Sequence, residues 1–515
     1  MPPGQAQALR RRAHRCPVLR AARARPRDRT PRRTFLASRL PIQGEQTCCL
    51  LSPMSPRPPH QVRVSDCPAM PSCSHAPCTL YVTRLAYGRP FVRSDSDRCV
   101  PLCRQQGARA AREDPTMHDI QRVLAGIDPE ALARDCLEFV AVPSETGHEG
   151  PGAEFLADLM RRSSWDVLLE EVAPGRPNVM AHLPGRGGGP SLLFNGHVDT
   201  IPRGRAWPPR REGTWIWGRG AEDMKGGLVA MIHAIRAIQH AGVRLRGDVW
   251  LTGVVGHETP IGKKEGPEHL IRRITTGTLR PDAILIVEGP AAIWCASLGS
   301  TVFTITLDAG RPPIHTIKVP FKQNPIRALA RLLDELDRLD DLLATQPPHP
   351  LAGYEQVNVG IVAAGDYPNR LPVRIQVTGT RRWTPGHTVD DIYQELEALA
   401  HRVADPYGLL SRVELEGWRE PFETPPDHPL VQALRRAGER LTGRAPDIIG
   451  MALVGDANLY VRETGIPTVY YGPAYETAHS DEERVSTEQL THIAQIYALT
   501  AMEYCGVYPT QGLAA

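Results

Sequence analysis

Thiols are scarce over most of this chain. Eight of its 11 cysteines lie before residue 117, and only Cys136, Cys295 and Cys505 follow. Three scattered thiols exclude a disulfide framework there and fit a reducing cytoplasm. No C-x2-C pair repeats at zinc-finger spacing, so no soft structural metal site is expected. No apolar run approaches the roughly 18–20 residues that a membrane helix needs, and no membrane partner is expected. The N-terminus lacks the apolar core of a secretory leader. What is present, 23% charged and 41% hydrophobic residues over 515, describes a globular chain long enough for several domains.

Lysine is absent from residues 1–116. That stretch holds 21 arginines against 7 acidic residues, a balance of +14, whereas the remainder stands at −11. It is rich in Pro and Cys and carries no sustained helical or strand period. A basic arm for nucleic acid, or an organelle-targeting peptide, would have this charge. Composition favours a plainer reading: a disordered extension, or a mis-assigned start with Met117 in "PTMHDIQRVL" as the natural one. No nucleic-acid partner is expected.

From Met117 the text is regular. "PEALARDCLEFV" has helical spacing after a proline start, and "GAEFLADLMRR" predicts a second helix. Short apolar runs bounded by Gly and Pro follow: "NVMAHL", "SLLFNGHVDT", "DVWLTGVVG" and "DAILIVEG", with the helix-like "GGLVAMIHAIRAIQHAG" among them. Strands alternating with helices predict an α/β sheet covered on both faces. From about residue 296 the grammar changes to β-α-β-β-α-β, the order of a ferredoxin-like unit. It reads as an insertion, because "PLVQALRRAGERLTG" and "IPTVYYGP" return to the earlier style. The expected domains are an extension (1–116), a catalytic domain in two parts (117–295 and 419–515) and a lid and dimerisation domain (296–418).

The ionisable residues fall at the ends of the apolar runs. His197 and Asp199 close "SLLFNGHVD", Glu258 closes "LTGVVGHE" and Glu288 closes "AILIVEG"; Asp223 sits in a Gly-rich turn opening a helix, and His479 follows "TVYYGPAYETAH". Strand C-termini in a parallel sheet share one edge, where ligands bind. So many carboxylates on one rim would repel one another, and a pair of divalent cations resolves the conflict. Imidazole and carboxylate suit zinc and its neighbours, and one carboxylate can bridge two metals. Asp199, two residues from His197 on a strand, can accept the other ring N–H and fix the tautomer. Any one of these elements alone is an ordinary polar pair or a tight loop; their ordered conjunction carries the reading.

The segments "LLFNGHVDTIP", "WIWGRGAEDMKGG", "LIVEGP", "VGDANLY" and "YYGPAYETAHSDEERV" resemble the co-catalytic two-metal metallopeptidase family of acetylornithine deacetylase, succinyl-diaminopimelate desuccinylase, aminoacylase and glutamate carboxypeptidase. The resemblance covers roughly residues 117–515. It implies a two-metal α/β catalytic domain interrupted by a ferredoxin-like lid that mediates homodimerisation. It implies hydrolysis of an amide, or another C–N bond, in a small carboxylate-bearing substrate. Asp223 would bridge two divalent ions, zinc foremost with cobalt or manganese as alternatives. His197 and Glu288 would complete one site, and Glu258 and His479 the other. In the lid, Asn369 of "YPNRLP" would contact substrate and Arg382 of "RRWTPGHT" would hold its carboxylate. His315 would reach the partner subunit's active site and steady the developing oxyanion, although "DAGRPPIHTIKVPFKQNP" departs from the family's small-residue pattern.

The family writes two glutamates where this chain writes His257–Glu258. The second is the ligand and the first the general base. Three readings follow. His257 is the base, since an imidazole can accept a proton near neutral pH; or Glu265 or Glu268 swings in; or the base is lost and the protein binds metal and ligand without efficient turnover. The departure also leaves another C–N bond, such as that of an aryl amine, open as the target.

Overall fold

The computed structural model describes residues 115–206, 208–258 and 261–508. The expectations for the Arg-rich extension, apart from its last two residues, lie outside them.

Helices α1 (Met117–Ala125), α2 (Pro129–Ala141) and α3 (Gly150–Arg161) lead into a nine-stranded mixed sheet. Its strands are β1 (Val167–Ala173), β2 (Arg176–Leu183), β3 (Leu192–His197), β6 (Val249–Val254), β7 (Ala283–Ile286), β8 (Ile293–Ser297), β13 (Phe422–Glu423), β14 (Ile448–Met451) and β15 (Thr468–Tyr470). They run β1-β2-β6-β3-β7-β15-β8-β13, with β14 also on β8. The centre, β6-β3-β7-β15, is parallel. Every residue of β3 and β7 is buried, as strands covered on both faces must be, which is why they read as continuous apolar runs. Helices α4 (Gly226–His240), α5 (Glu265–Thr275), α8 (Pro429–Thr442), α9 (Asp456–Thr464) and α10 (Thr487–Cys505) belong to the same body, and α4 and α10 are buried on most of their surface. The mixed α/β class predicted from the sequence is the one observed. β8 was not foreseen as a strand: "IWCAS" runs through Leu298 straight into the next strand, with no turn signal to bound it. A small sheet, β4 (Arg210–Glu212), β5 (Trp215–Trp217) and β16 (Arg484–Ser486), stands apart.

The inserted unit has the β-α-β-β-α-β order read from the sequence: β9 (Gly299–Asp308), α6 (Ile326–Thr345), β10 (Gln356–Ala364), β11 (Arg374–Trp383), α7 (Val389–Ala404) and β12 (Leu410–Arg419). The antiparallel sheet is ordered β10-β11-β9-β12. Ala328, Leu332, Leu336, Leu339 and Leu343 form the buried stripe of α6 at three- and four-residue spacing. They meet Phe303, Ile305 and Leu307 of β9 and Leu396 and Leu399 of α7 in a core of their own. α7 starts at a capping box between Thr388 and Asp391. One face of this inserted sheet is thereby covered by helices.

Candidate functional site

Three parallel neighbours end together. In register, His197 of β3 stands opposite Val254 of β6, and Asn195 opposite Ile286 of β7. The next residues along β6 are Val255, Gly256, His257 and Glu258, and along β7 Val287 and Glu288, so His197, His257, Glu258 and Glu288 leave the same sheet edge. Side chains catch the outgoing β6 backbone residue by residue. Asn178 accepts from Val255 N (3.1 Å), Glu149 from Gly256 N (3.1 Å), and the Asp199 carboxylate from His257 N (3.1 Å) and Glu258 N (2.8 Å). Gly256 has φ +74°, and a Cβ on it would collide with the Glu265 carboxylate.

Asp223 comes from the turn preceding α4. The Glu483 carboxylate organises that turn, accepting from the backbone N–H groups of Gly220 (2.9 Å), Glu222 (3.2 Å) and Asp223 (3.1 Å) while pairing with Arg219. Glu222 accepts from Glu476 N (3.2 Å) and Thr477 N (2.7 Å), which ties the turn to the segment bearing His479. Where α4 begins, a Cβ on Gly227 would stand inside the Val287 carbonyl, so only glycine lets the helix approach the β7 exit this closely.

The side chains converge around Asp223. Its Oδ1 lies 3.0 Å from His197 Nε2, its Oδ2 3.2 Å from His479 Nε2, and Tyr475 donates its hydroxyl to Oδ2 at 3.0 Å. His479 Nε2 also lies 2.9 Å from Glu258 Oε1. Ligand atoms of His197, Asp223 and Glu258 fall within 4.8 Å of one another, as do those of His197, His257 and Glu288. Burial opposes charge throughout, and the neighbours decide each outcome. Burial raises Glu288 to about 7, with the Asp223 charge adding to it. His479 is raised to about 10 by its hydrogen bonds to Asp223 and Glu258. Burial would lower His197, yet Asp223, Asp199 and Glu288 hold it well above the usual imidazole range. Burial would raise Asp223, but His197 and His479 hold it far below the usual carboxylate range. This donor set, imidazole and carboxylate with one carboxylate between two imidazoles, has the chemistry to hold a pair of borderline dications.

Asp199 departs from expectation. The His197 Nδ1–H goes to the Asp199 backbone carbonyl, 2.8 Å away, while the nearer carboxylate oxygen is 3.8 Å distant. The carboxylate is engaged by the backbone of His257 and Glu258 and by Thr146 Oγ1 at 3.0 Å. The physical reason is competition: the backbone N–H groups leaving β6 have no strand partner there and claim the carboxylate.

His257 stacks on His197, with ring centroids 4.2 Å apart and 5° between planes. Its Nδ1 lies 2.9 Å from Asp456 Oδ2 and 3.1 Å from Lys264 Nζ, and Lys264 Nζ lies 3.0 Å from Asp456 Oδ1. Burial would raise Asp456, but His257 and Lys264 hold it far below the carboxylate range. Glu265 is committed elsewhere: Arg176 Nη1 pairs with its Oε1 at 2.9 Å and Lys263 N donates to its Oε2 at 2.8 Å. Glu268 is exposed on the first turn of α5. The alternative base read from "GKKEGPEH" is thus not assembled with the cluster.

A cavity of about 290 Å³ adjoins the cluster, and His257, Glu258, Glu288, Tyr475 and His479 line it. Arg382 does not line it; its Nη1 donates at 2.5 Å to the carbonyl of Ala452, which lies in sequence between the lining residues Met451 and Leu453. His315 and Asn369 do not line the cavity. Both are exposed on the inserted unit, where the Asn369 carbonyl accepts from Thr316 N at 2.9 Å and His315 Nδ1 from Ile317 N at 3.2 Å.

The sequence pattern of Peptidase family M20/M25/M40 matches residues 193–503, which contain the whole cluster. The chain belongs to this family. Among its relatives, N-formyl-4-amino-5-aminomethyl-2-methylpyrimidine deformylase of Bacillus subtilis is 28% identical over 68% of this chain and 88% of its own length. Succinyl-diaminopimelate desuccinylase of Cereibacter sphaeroides is 28% identical over 73% of this chain and 99% of its own. In fold the chain is similar to aminopeptidase PepT from Bacillus cereus (TM-score 0.63, 21% identity, 74% of this chain and 99% of that one). It is also similar to the dinuclear metal-binding M20 peptidase YXEP of Bacillus subtilis (TM-score 0.55, 17% identity, 72% and 97%). As an M20 member the protein is a metallopeptidase-type hydrolase acting on the amide bonds of small substrates. No helix among the described residues is long and apolar enough to cross a membrane.

Sequence reading missed Lys264, Tyr475 and Glu483, and gave Asp456 no role. Asp456 lay in the quoted block "VGDANLY", which was a usable signal. Nothing in the sequence pairs it with a histidine 199 positions earlier.

Proposed function

We propose that this M20 hydrolase uses two divalent ions, zinc foremost with cobalt or manganese as alternatives, to cleave the amide of a small carboxylate-bearing substrate. The observation that carries the reading is Asp223, with one oxygen facing His197 and the other facing His479. It would bridge the pair, with His197 and Glu288 on one side and Glu258 and His479 on the other. Such a pair, when bound, polarises an amide carbonyl and acidifies water.

The chain's own residues do the rest. With Asp456 Oδ2 2.9 Å away, the proton of His257 is assigned to Nδ1, and Lys264 Nζ, a donor only and 3.1 Å from the same nitrogen, then directs its protons to Asp456 Oδ1. The lone pair is then left on Nε2, where it can take a proton from the attacking water and return it to the leaving nitrogen. Lys264 Nζ forms an ion pair with the other oxygen of Asp456, 3.0 Å away, and balances its charge. Asp199 acts through the backbone, setting the His257–Glu258 step. Arg382 and Asn369 would recognise substrate. His315, exposed on the lid, would act across a homodimer, and the cytoplasm would be its compartment. A purely monomeric protein in sedimentation at micromolar concentration would remove the dimer from this account.

The test is metal content and turnover together. The full chain, reconstituted with zinc, should carry about two ions by elemental analysis. It should hydrolyse members of an N-acyl amino acid panel, lose the activity to a chelator and regain it with zinc. One ion or none after reconstitution, or no chelator-sensitive hydrolysis, would overturn it.

A further inference from the structure

Arg419 lines the same cavity as His257, Glu258, Glu288 and His479. It ends β12, where an irregularity between Glu416 and Arg419 shifts the register and sets Arg419 opposite Ser300 of β9. Arg382 of β11 stands opposite the same Ser300 from the other side. Residues directly opposite in an antiparallel sheet share a face. That face is the one free of helices: Phe303, Ile305 and Leu307, at the other parity of β9, pack in the helix-covered core.

Neither guanidinium has an ion-pair partner among the described residues. Arg419 Nη1 donates to the Trp418 carbonyl at 2.9 Å, and Arg382 Nη1 to the Ala452 carbonyl. Glu420, the acid beside Arg419, is taken up by Trp383 Nε1 (3.2 Å) and Val389 N (3.1 Å). Lys264, which also lines the cavity, is paired with Asp456. Arg382 is half-buried, and burial alone lowers its pKa. A partly desolvated guanidinium without an anion is unfavourable, and a bound anion relieves the cost.

We infer that Arg419 is a second anion-recognition residue beside Arg382, and that the cavity selects substrates carrying two carboxylates over those carrying one. This rests on the hydrolase reading above and names its substrate class. Two strand spacings separate the two Cα atoms, about 10 Å, which suits two distinct anionic groups on one small molecule better than a single shared one.

The test compares succinate with butyrate, acids of equal carbon number and one or two charges, by calorimetric titration of the zinc-loaded full chain. Zinc can bind either carboxylate of succinate, so the comparison of wild type with Arg419→Gln at equal zinc content separates the share of the guanidinium from that of the metal. The wild type should bind succinate about 10-fold tighter or more, the worth of one charge-assisted contact. Arg419→Gln should reduce that ratio to within about twofold, and Arg419→Lys should restore part of it. Unchanged zinc content and melting temperature in both variants show that they are folded. A wild type that binds succinate no tighter than butyrate, or an Arg419→Gln protein that keeps the preference, overturns the inference. Failure of the same zinc-loaded protein to hydrolyse any N-acyl amino acid would instead strike the hydrolase reading, and the binding ratio would still judge Arg419.

Discussion

At the scale of the residue, His257 carries the departure that matters most. A glutamate in that place would present its carboxylate directly. The histidine works only if one ring nitrogen is spoken for, and Asp456 and Lys264 supply that constraint. His257→Ala should therefore lower kcat by about 10²–10⁴-fold, the usual worth of a general base, with zinc content unchanged. His257→Glu should keep a substantial part of the rate, because it restores a base on the same backbone held by Asp199. An alanine variant of near-normal kcat would mean that the proton goes elsewhere. The sequence singled out His257 through its place beside Glu258. It could not show the partners, because Asp456 lies on α9, across the sheet.

At the scale of the element, what counts is where strands stop and helices start. β3, β6 and β7 end in register, and α4 begins against the exit of β7 with no room for a methyl group at Gly227. Alanine for glycine inside a helix ordinarily gains about 1 kcal/mol. Here the added Cβ meets the Val287 carbonyl, and overpacking of this kind costs roughly 1–3 kcal/mol. The second effect should win. Gly227→Ala should lower the urea midpoint, and zinc occupancy should fall with it, since Asp223 and Glu288 sit on the two displaced segments. A stabilised variant with full occupancy would show that the helix can shift freely. These elements were legible as apolar runs and a 3.6-residue period. Strand β8 was not, because a buried strand that feeds directly into another leaves no punctuation.

For the whole molecule, the site is a balance of charge that metal must overturn. Without metal, His479 is held up to about 10 by Asp223 and Glu258, and Glu288 up to about 7 by burial. Both are raised above their unfolded values. Each proton is therefore fully retained below the unfolded pKa and lost only as pH rises through the folded one. His479 must give up its proton to present a lone pair, so zinc binding near pH 7 should release protons and tighten as pH rises. The rise in melting temperature on adding zinc should be larger at pH 8 than at pH 6. Calorimetry in buffers of different ionisation enthalpy should show net proton release. A zinc shift that shrinks from pH 6 to pH 8 would exclude His479 from the binding set.

The sequence by itself determined the mixed α/β class, the inserted β-α-β-β-α-β unit and the set of residues at one sheet edge. It could do so because periodicity and turn residues mark strand ends, and a parallel sheet brings those ends together whatever the loops do. Only the tertiary structure decided that the Asp199 carboxylate serves the backbone while its carbonyl holds His197, that Asp456 and Lys264 lock His257, and that Arg419 joins Arg382 across Ser300. Those pairings depend on loop paths and strand register between segments tens to hundreds of residues apart, and hydrophobic pattern carries no record of which polar group will meet which.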